Sequence, residues 1–304
     1  MVILMTTSVY LSNENLVVVS GKETKAGVSV NSFVTIPLFE GAVINGMIIN
    51  DDIIRSNLKR LCYKGVIPKK DIKLVFDRST ILIKFIRIPK LKSQNILELV
   101  KNTFVGAAEA REELVYDYSI IKEENNKDGS NLILATAVEK SLIEEYVELF
   151  TSCGIKLSSI DIAINSILKF QRHCPNFKNS TFIISFVDAD NVFSLLFVDG
   201  KYSFSNRFRL ISERGTTVST SEYQGFLSTI IQFNKAQKGN NEIEYALFCG
   251  LKENESLLCD ELSSSLGLRV EQLTNCPSIN IDTKLKNREP EIMKNLFAVA
   301  NLIK

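Results

Sequence analysis

Two carboxylates in one short turn are the residues whose spacing best suits metal chemistry. Asp188 and Asp190, followed by Asn191, stand between two apolar runs. Carboxylate oxygens are the ligands that Mg²⁺ prefers in proteins. A turn rich in Asp and Asn is also a common plain turn, because these side chains bond their own backbone. The wider sequence shows no metal-ligand spacing, so we predict no metal site.

The single histidine and the six cysteines indicate no catalytic centre. His173 precedes Cys174 and Pro175. Adjacent residues of an extended segment point apart, and proline disfavours helix at the residue before it, so we predict a surface loop instead of a Cys–His dyad. No Cys-x-x-Cys pair occurs, which favours reduced thiols over a zinc site or a disulfide frame. Without His173 no Ser–His–Asp arrangement can be built, so we predict no catalytic residue.

Composition excludes several classes of function. The 304 residues are enough for about two domains. Lys plus Arg (36) balances Asp plus Glu (35), so no basic field favours nucleic acid or an anionic membrane. Apolar runs such as 182–187 are far shorter than the ~20 residues of a membrane span. The start of the chain carries no basic region of the kind that precedes a secretion signal, so we expect a cytoplasmic protein.

The elements that must position these residues fall into two similar halves. The first half predicts strands over 2–10, 16–20, 28–38 and 41–49, then a helix from Asn50 to Gly65. The second half predicts strands over 181–187, 192–198 and 201–210, a solvated loop over 212–217, a helix over 224–236, a strand over 243–248, and helices over 256–266 and 292–302. The second half therefore repeats the order of the first.

The segment between the halves has a different order of predicted elements, in which hairpins and helices alternate. It predicts a hairpin of strands 73–76 and 81–86, a helix over 93–104, a second hairpin of 114–121 and 132–137 around a polar turn at 125–130, and a helix over 139–150. A small-residue turn at Gly154 and a helix over 160–167 follow. This order describes a compact α+β insert.

Several phrases in this order resemble one family. Two strand-and-helix lobes with such an insert are typical of the actin-like ATPase superfamily. The phrases are Gly41 to Asp51, Arg87-Ile88-Pro89, Tyr116-Asp117-Tyr118, Leu134 to Ala137 and Ile160 to Ile167. They resemble the PilM family of type IV pilus assembly proteins, which is related to FtsA. The resemblance is closest over 37–170, and the order of the phrases carries it.

The resemblance implies a mixed α/β (α+β), two-lobed actin-like, or ribonuclease H-like, fold. Lobe 1 would comprise 1–70, 155–178 and a closing helix at 291–304. The inserted subdomain, called 1C in the family, would be 71–154, and lobe 2 would be 179–290. Only one helix fits between Leu210 and Ile243, so we expect subdomain 2B, which helps to clamp adenine in the family, to be largely missing.

The same resemblance locates a degenerate nucleotide site. In the superfamily the first phosphate loop is Asp-x-Gly, because glycine lets the backbone approach a phosphate and the carboxylate orients Mg²⁺. Here Tyr10 and Ser12 hold those places, and Asp190 stands where the second loop would have glycine. The corresponding positions are Tyr10, Ser12, Asn13, Asp188, Asp190, Asn191, Gly250 and Leu251. We expect a pseudo-ATPase without a resident cofactor, and ATP with Mg²⁺ is the ligand to test.

The insert carries the predicted function. The family binds the N-terminal tail of PilN, a single-span inner-membrane protein, in a groove beside subdomain 1C. The resemblance therefore implies a scaffold at the inner face of the cytoplasmic membrane that links a PilN-like tail to other pilus assembly proteins. The contact residues and the oligomeric state stay open.

Two alternatives remain at this stage. One is an active actin-like ATPase. The other is an FtsA-like protein or a relative of the cytoplasmic part of GspL. FtsA-like chains carry a C-terminal membrane helix and GspL continues into a membrane span, whereas the chain here stops at Lys304 after a segment that looks core-facing. We therefore expect neither membrane element.

Overall fold

Two separate sheets, each flanked by helices, form the two halves of the molecule in a computed structural model. The structure describes residues 5–106, 113–123, 130–237 and 241–304. Positions 2–4 of the first predicted strand and 125–129 of the predicted polar turn lie outside these residues.

The strands and helices alternate along the chain. The strands are β1 (Thr6–Leu11), β2 (Asn15–Thr24), β3 (Gly27–Pro37), β4 (Val43–Ile44), β5 (Met47–Ile48), β6 (Ile72–Phe76), β7 (Leu82–Pro89), β8 (Leu114–Glu123), β9 (Ser130–Glu139), β10 (Leu157–Ile162), β11 (Phe182–Asp188), β12 (Asn191–Val198), β13 (Lys201–Arg209), β14 (Tyr245–Cys249), β15 (Arg269–Gln272) and β16 (Ile279–Ile281). The helices are α1 (Asp51–Tyr63), α2 (Ser93–Thr103), α3 (Lys140–Ser152), α4 (Ala163–His173), α5 (Thr217–Ala236), α6 (Leu258–Leu266), α7 (Glu289–Lys294) and α8 (Leu296–Ala300).

Lobe 1 is built on a six-stranded sheet in the order β10-β6-β1-β2-β3-β16. The β1–β2 and β2–β3 pairs are antiparallel, whereas β6 lies parallel to both β1 and β10. Helices α4 and α8 pack together on this sheet, and α8 contacts β1, β2 and β3. The amide of Asn301, just after α8, donates to the hydroxyl of Ser8 in β1 over 3.0 Å, which anchors the end of the chain to the central strand.

Lobe 2 repeats the arrangement with five strands in the order β13-β12-β11-β14-β15. The strands β11, β14 and β15 are parallel, and every residue of Phe182–Val187 is buried. Such continuous burial is expected where a parallel strand is covered on both faces. Helices α5 and α6 pack together beside this sheet. Among the described residues between β13 and β14, α5 is the one helix.

The insert has its own three-stranded sheet in the order β7-β9-β8. Helix α2 packs on it through Ile96 and Val100, which join a separate apolar cluster with Ile88 and Ile133. The predicted second hairpin is confirmed, because β8 and β9 pair antiparallel. The predicted first hairpin is wrong. Strand β6 belongs to the lobe 1 sheet, whereas β7 pairs with β9.

The structure corrects several other expectations. The segment 41–49 forms the two-residue strands β4 and β5 instead of one strand. Residues 160–162 end the strand β10, so the helix predicted over 160–167 begins at Ala163. The predicted helix over 292–302 is two short helices separated at Asn295, whose carbonyl accepts the N–H of Ala298 over 3.1 Å.

Three further differences concern lengths and missing strands. Helix α5 begins at Thr217, seven positions before the prediction at 224, because Thr216 and Ser219 form a capping box there. The strands β10, β15 and β16 were not predicted. None of the helices in the described ranges has the length and apolar content that crossing a bilayer requires.

The buried Tyr146 ties α3 to the β4–β5 turn. Its hydroxyl donates to the carbonyl of Gly46 over 2.8 Å, although 100 positions separate the two residues. Gly46 has φ +72°, and a Cβ there would lie 2.3 Å from the carbonyl oxygen of Asp77. The turn therefore packs tightly against the segment that follows β6.

We expect Tyr146→Phe to lower the free energy of unfolding by roughly 1 to 2 kcal/mol, because the buried Gly46 carbonyl loses its donor. Chemical denaturation measures this loss. Tyr63→Phe removes the same hydroxyl from a side chain that is 94% exposed and serves as the control. Equal stability of Tyr146→Phe and the unmodified protein would show that the hydrogen bond contributes nothing.

Candidate functional site

The predicted nucleotide positions meet in a cleft between the two sheets. The β1–β2 turn and the β11–β12 turn face each other across it, since the backbone N–H of Asn13 donates to Asp188 Oδ2 over 2.8 Å. A cavity of about 320 Å³ is bordered by Tyr10, Ser12, Asp188, Gly250 and Leu251. A much smaller one, of about 20 Å³, is bordered by Tyr10, Asn13, Asp188 and Asn191.

Asp190 is the predicted position that borders neither cavity. Its carboxylate is 36% exposed and pairs with Arg209 Nε over 2.5 Å at the surface. Ala189, between the two carboxylates, has φ +53°, and this turn points the side chains of Asp188 and Asp190 to different surroundings. The two carboxylates therefore do not converge on one metal site.

Tyr10 and Ser12 both form contacts within the protein. Tyr10 is 5% exposed, and its ring meets the ring of Phe297 edge-on at 5.5 Å between centroids. Phe297 also contacts Phe186 at 4.3 Å. The Ser12 hydroxyl accepts the backbone N–H of Glu14 at 3.2 Å and of Asn15 at 2.9 Å. An aromatic cluster and a serine turn with its own hydrogen bonds thus occupy the positions that the sequence analysis assigns to the first phosphate loop.

Asp188 is enclosed by the first turn. Burial raises the pKa of its carboxyl to about 6, against the opposing hydrogen bonds from Asn13 and Ser12. The side chain of Asn13 continues the link, because its Oδ1 accepts the backbone N–H of Asn45 over 2.7 Å. Asp188 therefore holds two lobe 1 turns near lobe 2 and has little freedom to orient Mg²⁺.

An ion pair that the sequence did not indicate spans the cleft. Both Asp77 carboxylate oxygens accept hydrogen bonds from Arg207, each over 2.6 Å. The guanidinium of Arg207 lies 3.7 Å from the centroid of the Phe193 ring. Asp77 directly follows β6 in lobe 1 and Arg207 lies in β13 of lobe 2, so the pair joins the lobes. A second pair, Lys252 with Glu14 at 2.6 Å, crosses nearer the surface.

The glycine retained at 250 has a structural explanation. Its φ is +93°, and a Cβ would lie 2.1 Å from the carbonyl oxygen of Val187, so only glycine fits against β11. Leu251 beside it is buried in the lobe 2 core. Neither residue requires a nucleotide to account for its type.

The segment 212–217 is largely the solvated loop that the sequence predicts, with Arg214 as the buried exception. Arg214 is 7% exposed and pairs with Glu255, which is 3% exposed. The same guanidinium donates to the carbonyls of Ala189 at 3.0 Å and Gly250 at 2.9 Å. The hydroxyl of Tyr223 donates to Glu255 over 2.9 Å. This buried network fixes the two lobe 2 turns that border the cleft.

The region around His173 also differs from the prediction of a surface loop. His173 is the last residue of α4, and its Nε2 lies 3.4 Å from Glu23. Cys174 is buried, with 1% exposure. The structure thus separates the two side chains into different surroundings, and no Cys–His dyad forms between them.

A second concave site lies beside the insert. It is a groove of about 160 Å³ between the insert sheet and the edge of the lobe 1 sheet. Strand β8 is the outer strand of the insert sheet, and β10 is the outer strand of the lobe 1 sheet. Its lining is Phe76, Val115, Asp117, Tyr118, Ser119, Leu134, Thr136, Val138, Ile143, Ile160, Asp161, Ile162 and Asn165. The groove is therefore mainly apolar, with two carboxylates, one carboxamide and three hydroxyl groups.

The polar groups of the groove differ in how many hydrogen-bond and ion-pair partners the protein gives them. Asp161 pairs with Lys169 over 2.9 Å and accepts the Asn165 amide over 2.8 Å. Asn165 is 6% exposed, and its Oδ1 has no hydrogen-bond partner among the described residues. The side chain of Asp117 accepts its neighbour's backbone N–H over 2.8 Å and has no ion pair with a described residue. A buried acceptor without a donor is costly, so the Asn165 carbonyl favours a ligand that brings an N–H.

Comparisons with known proteins identify a family and a set of similar structures. The family model described as type IV pilus assembly protein PilM matches residues 9–196, more than half of the chain. The structure is similar to that of a PilM-PilN type IV pilus biogenesis complex, with a TM-score of 0.81 and 14% sequence identity over 99% of this chain and 98% of the other. A search of curated proteins found no significant match.

More distant structures share the fold. A Bacteroides thetaiotaomicron protein with an actin-like ATPase fold gives a TM-score of 0.55 with 14% identity over 94% of both chains. The ethanolamine utilization protein EutJ from Carboxydothermus hydrogenoformans gives 0.52 with 9% identity over 99% of this chain and 90% of that one. The predicted mixed α/β, actin-like fold is confirmed by these similarities.

The buried carboxyl of Asp188 gives a pH prediction. Its folded pKa of about 6 is above the ordinary 3.8, so the folded state retains the proton that the unfolded state has released. The stability that this proton supplies is complete below the ordinary pKa and is lost as the pH rises through about 6. Asp188→Asn keeps an acceptor for Asn13 and removes this titration.

We therefore expect the stability of Asp188→Asn, relative to the unmodified protein, to increase by roughly 1 to 2 kcal/mol between about pH 4 and pH 7. Urea denaturation at several pH values measures the difference. Asp190→Asn makes the same chemical change at the surface of the same turn. An equal pH-dependent gain in that control, or none in Asp188→Asn, would contradict the assignment.

Proposed function

Because this chain belongs to the PilM family of type IV pilus assembly proteins, we propose that it is a scaffold that binds the N-terminal tail of a PilN-like inner-membrane protein. We place its work in the cytoplasm, at the inner face of the membrane, where the tail would connect it to other assembly proteins. The proposal uses no catalytic residue. The groove between β8 and β10 is the observation that carries it.

Both walls of the groove offer backbone to an extended peptide. Among the described residues, β8 pairs with β9 alone and β10 with β6 alone, so one edge of each strand is unpaired. Exposed strand edges capture extended peptides through main-chain hydrogen bonds, while pockets for alternate side chains supply specificity. We infer that the unpaired edges of β8 and β10 supply main-chain partners to a tail that enters this groove.

The side chains of the groove define the tail that fits it. Val115, Ile143 and Ile160 provide apolar contacts for alternate side chains of an extended segment. Asp117 is exposed and favours a basic side chain, and the unpaired Asn165 carbonyl favours a backbone or side-chain N–H. The best match is a short extended segment that carries apolar residues and at least one Lys or Arg.

The interlobe cleft supports a role without ATP hydrolysis. A triphosphate there would compete with Asp77 for Arg207 and would bring its negative charge close to Asp188 and Glu14. Catalysis of phosphoryl transfer depends on positioning groups around the phosphates and Mg²⁺. In this chain the Tyr10–Phe297 contact and the Arg207–Asp77 pair occupy that region. We infer that the chain is a pseudo-ATPase whose lobes are joined by its own side chains.

A substitution in the groove tests the binding proposal. Val115→Arg places bulk and positive charge on the β8 wall, so we expect at least a tenfold weaker Kd, about 1.4 kcal/mol, for a synthetic PilN-like tail. Fluorescence anisotropy of a labelled tail measures the Kd.

Ile120→Arg is the matched control for that variant. Ile120 lies on the same strand and is 37% exposed, against 42% for Val115, but it does not line the groove. Its affinity for the tail should be unchanged. Equal weakening by both variants would point to an effect on the strand as a whole, and no weakening by Val115→Arg would rule out this groove.

Thermal denaturation with ATP tests the pseudo-ATPase proposal. A ligand that binds only the folded state raises its stability by about 2.7 kcal/mol at a hundred times its Kd. We expect no change in Tm at millimolar ATP with Mg²⁺, whereas the PilN-like tail should raise it. A rise of several degrees with ATP, together with phosphate release, would favour an active ATPase instead.

A further inference from the structure

The two segments where the chain passes between the lobes lie side by side. The first passage, 174–181, leads from α4 of lobe 1 to β11 of lobe 2. The second, 273–278, returns from β15 of lobe 2 to β16 of lobe 1. Any rotation of one lobe against the other must be absorbed by these two passages, because they are the covalent connections between the sheets.

Each passage carries a cysteine, and the two thiols touch. The Sγ atoms of Cys174 and Cys276 are 3.7 Å apart, although 102 positions separate the residues along the chain. Cys174 is 1% exposed and Cys276 is 7% exposed. The Ser278 hydroxyl donates to the carbonyl of His173, the last residue of α4, over 3.2 Å, which links the second passage to the start of the first. The thiol pair therefore lies at the hinge of the molecule.

We propose that Cys174 and Cys276 are a redox-sensitive hinge pair, in which a reversible disulfide ties the two passages together and restricts the relative movement of the lobes. A bond at this position would close a loop that contains the whole lobe 2 sheet. Cross-links that close long loops restrict the unfolded chain most, so the oxidised protein should be more stable than the reduced one.

The chemistry is a pair of thiol–disulfide exchanges with a low-molecular-weight disulfide as the oxidant. The Cys276 thiolate attacks one sulfur of that disulfide, breaks its S–S bond and expels one small thiolate. The Cys174 thiolate then attacks Cys276 Sγ and expels the second. The protein loses two protons and two electrons, and the small disulfide is reduced to two thiols.

The order of attack follows from the surroundings of the two thiols. The hydrogen bond from the Cys174 thiol lowers the pKa of Cys276, and hydrogen bonds from Ser278 act in the same direction. Cys276 is also the more exposed of the two. The passage 273–278 is thus the side from which an oxidant would enter when it opens.

Other cysteines provide the controls. Cys249 is buried at the end of β14, and its peptide is separate from that of Cys276 in the mapping. Cys62 lies in α1, Cys153 directly follows α3, and both are half-buried. Peptide mapping distinguishes a disulfide between Cys62 and Cys153 from a disulfide between Cys174 and Cys276.

The test exposes the folded, full-length chain to oxidised glutathione and maps disulfides by mass spectrometry without reduction. We expect a peptide that joins Cys174 to Cys276 in the unmodified protein and in Cys62→Ala, and none in Cys174→Ala or Cys276→Ala. The Tm should rise by several degrees on oxidation and return after dithiothreitol. The two variants should show no such reversible rise.

Several results would overturn the proposal. One is a chain that stays folded under prolonged oxidation with no link between Cys174 and Cys276. Another is a link that forms only at urea concentrations that unfold the chain. A link without a rise in Tm would refute the stabilisation that closure of this long loop predicts. Mapping of the unmodified protein decides the first two even if the alanine variants fail to fold.

Discussion

The Arg207–Asp77 ion pair is the constraint on which the arrangement of the lobes depends. Its bidentate geometry satisfies both carboxylate oxygens, and the side chains are only 28% and 19% exposed. Removal of one partner from a largely buried pair leaves an uncompensated charge, which costs far more than removal of both. The pair therefore keeps β13 of lobe 2 beside the end of β6 in lobe 1. The pair borders the same small cavity as Tyr10, Asn13 and Asp188, which the sequence analysis assigns to a degenerate nucleotide site.

Much of the fold could be predicted from the sequence, and the failures have physical reasons. The order of strands and helices follows from apolar periodicity and turn residues, which are local signals. Strand β6 was assigned to a hairpin because Asp77 and Ser79 look like a turn, yet four of its five residues are buried. That continuous burial belongs to a parallel strand inside a sheet. Strand β10 was missed because it is an edge strand, with Ser158 and Ser159 exposed.

The residues of the candidate site could be predicted where the two lobes repeat the same order of strands. The ion pairs between distant elements could not. Tyr10, Asn13 and Asp188 meet because the first hairpin of each lobe points its turn at the other. Asp190 lies apart from them, since a single residue with positive φ separates the two carboxylates. The Arg207–Asp77 and Arg214–Glu255 pairs join residues 130 and 41 positions apart. No local pattern marks such pairs, because their partners are chosen by the packing of distant elements.

Strand β13 connects the cleft with the insert and so relates the two candidate sites. It carries Arg207 into the cleft, and near its other end Tyr202 stacks on Phe85 of β7 with 3.9 Å between ring centroids. Strand β7 belongs to the sheet whose outer strand, β8, forms one wall of the groove. The other wall, β10, is hydrogen-bonded to β6, which ends next to Asp77. Both walls of the groove are thus attached to elements that the ion pair holds together. Lobes linked in this way would keep the width of the groove fixed, which suits the partner-binding scaffold that we propose.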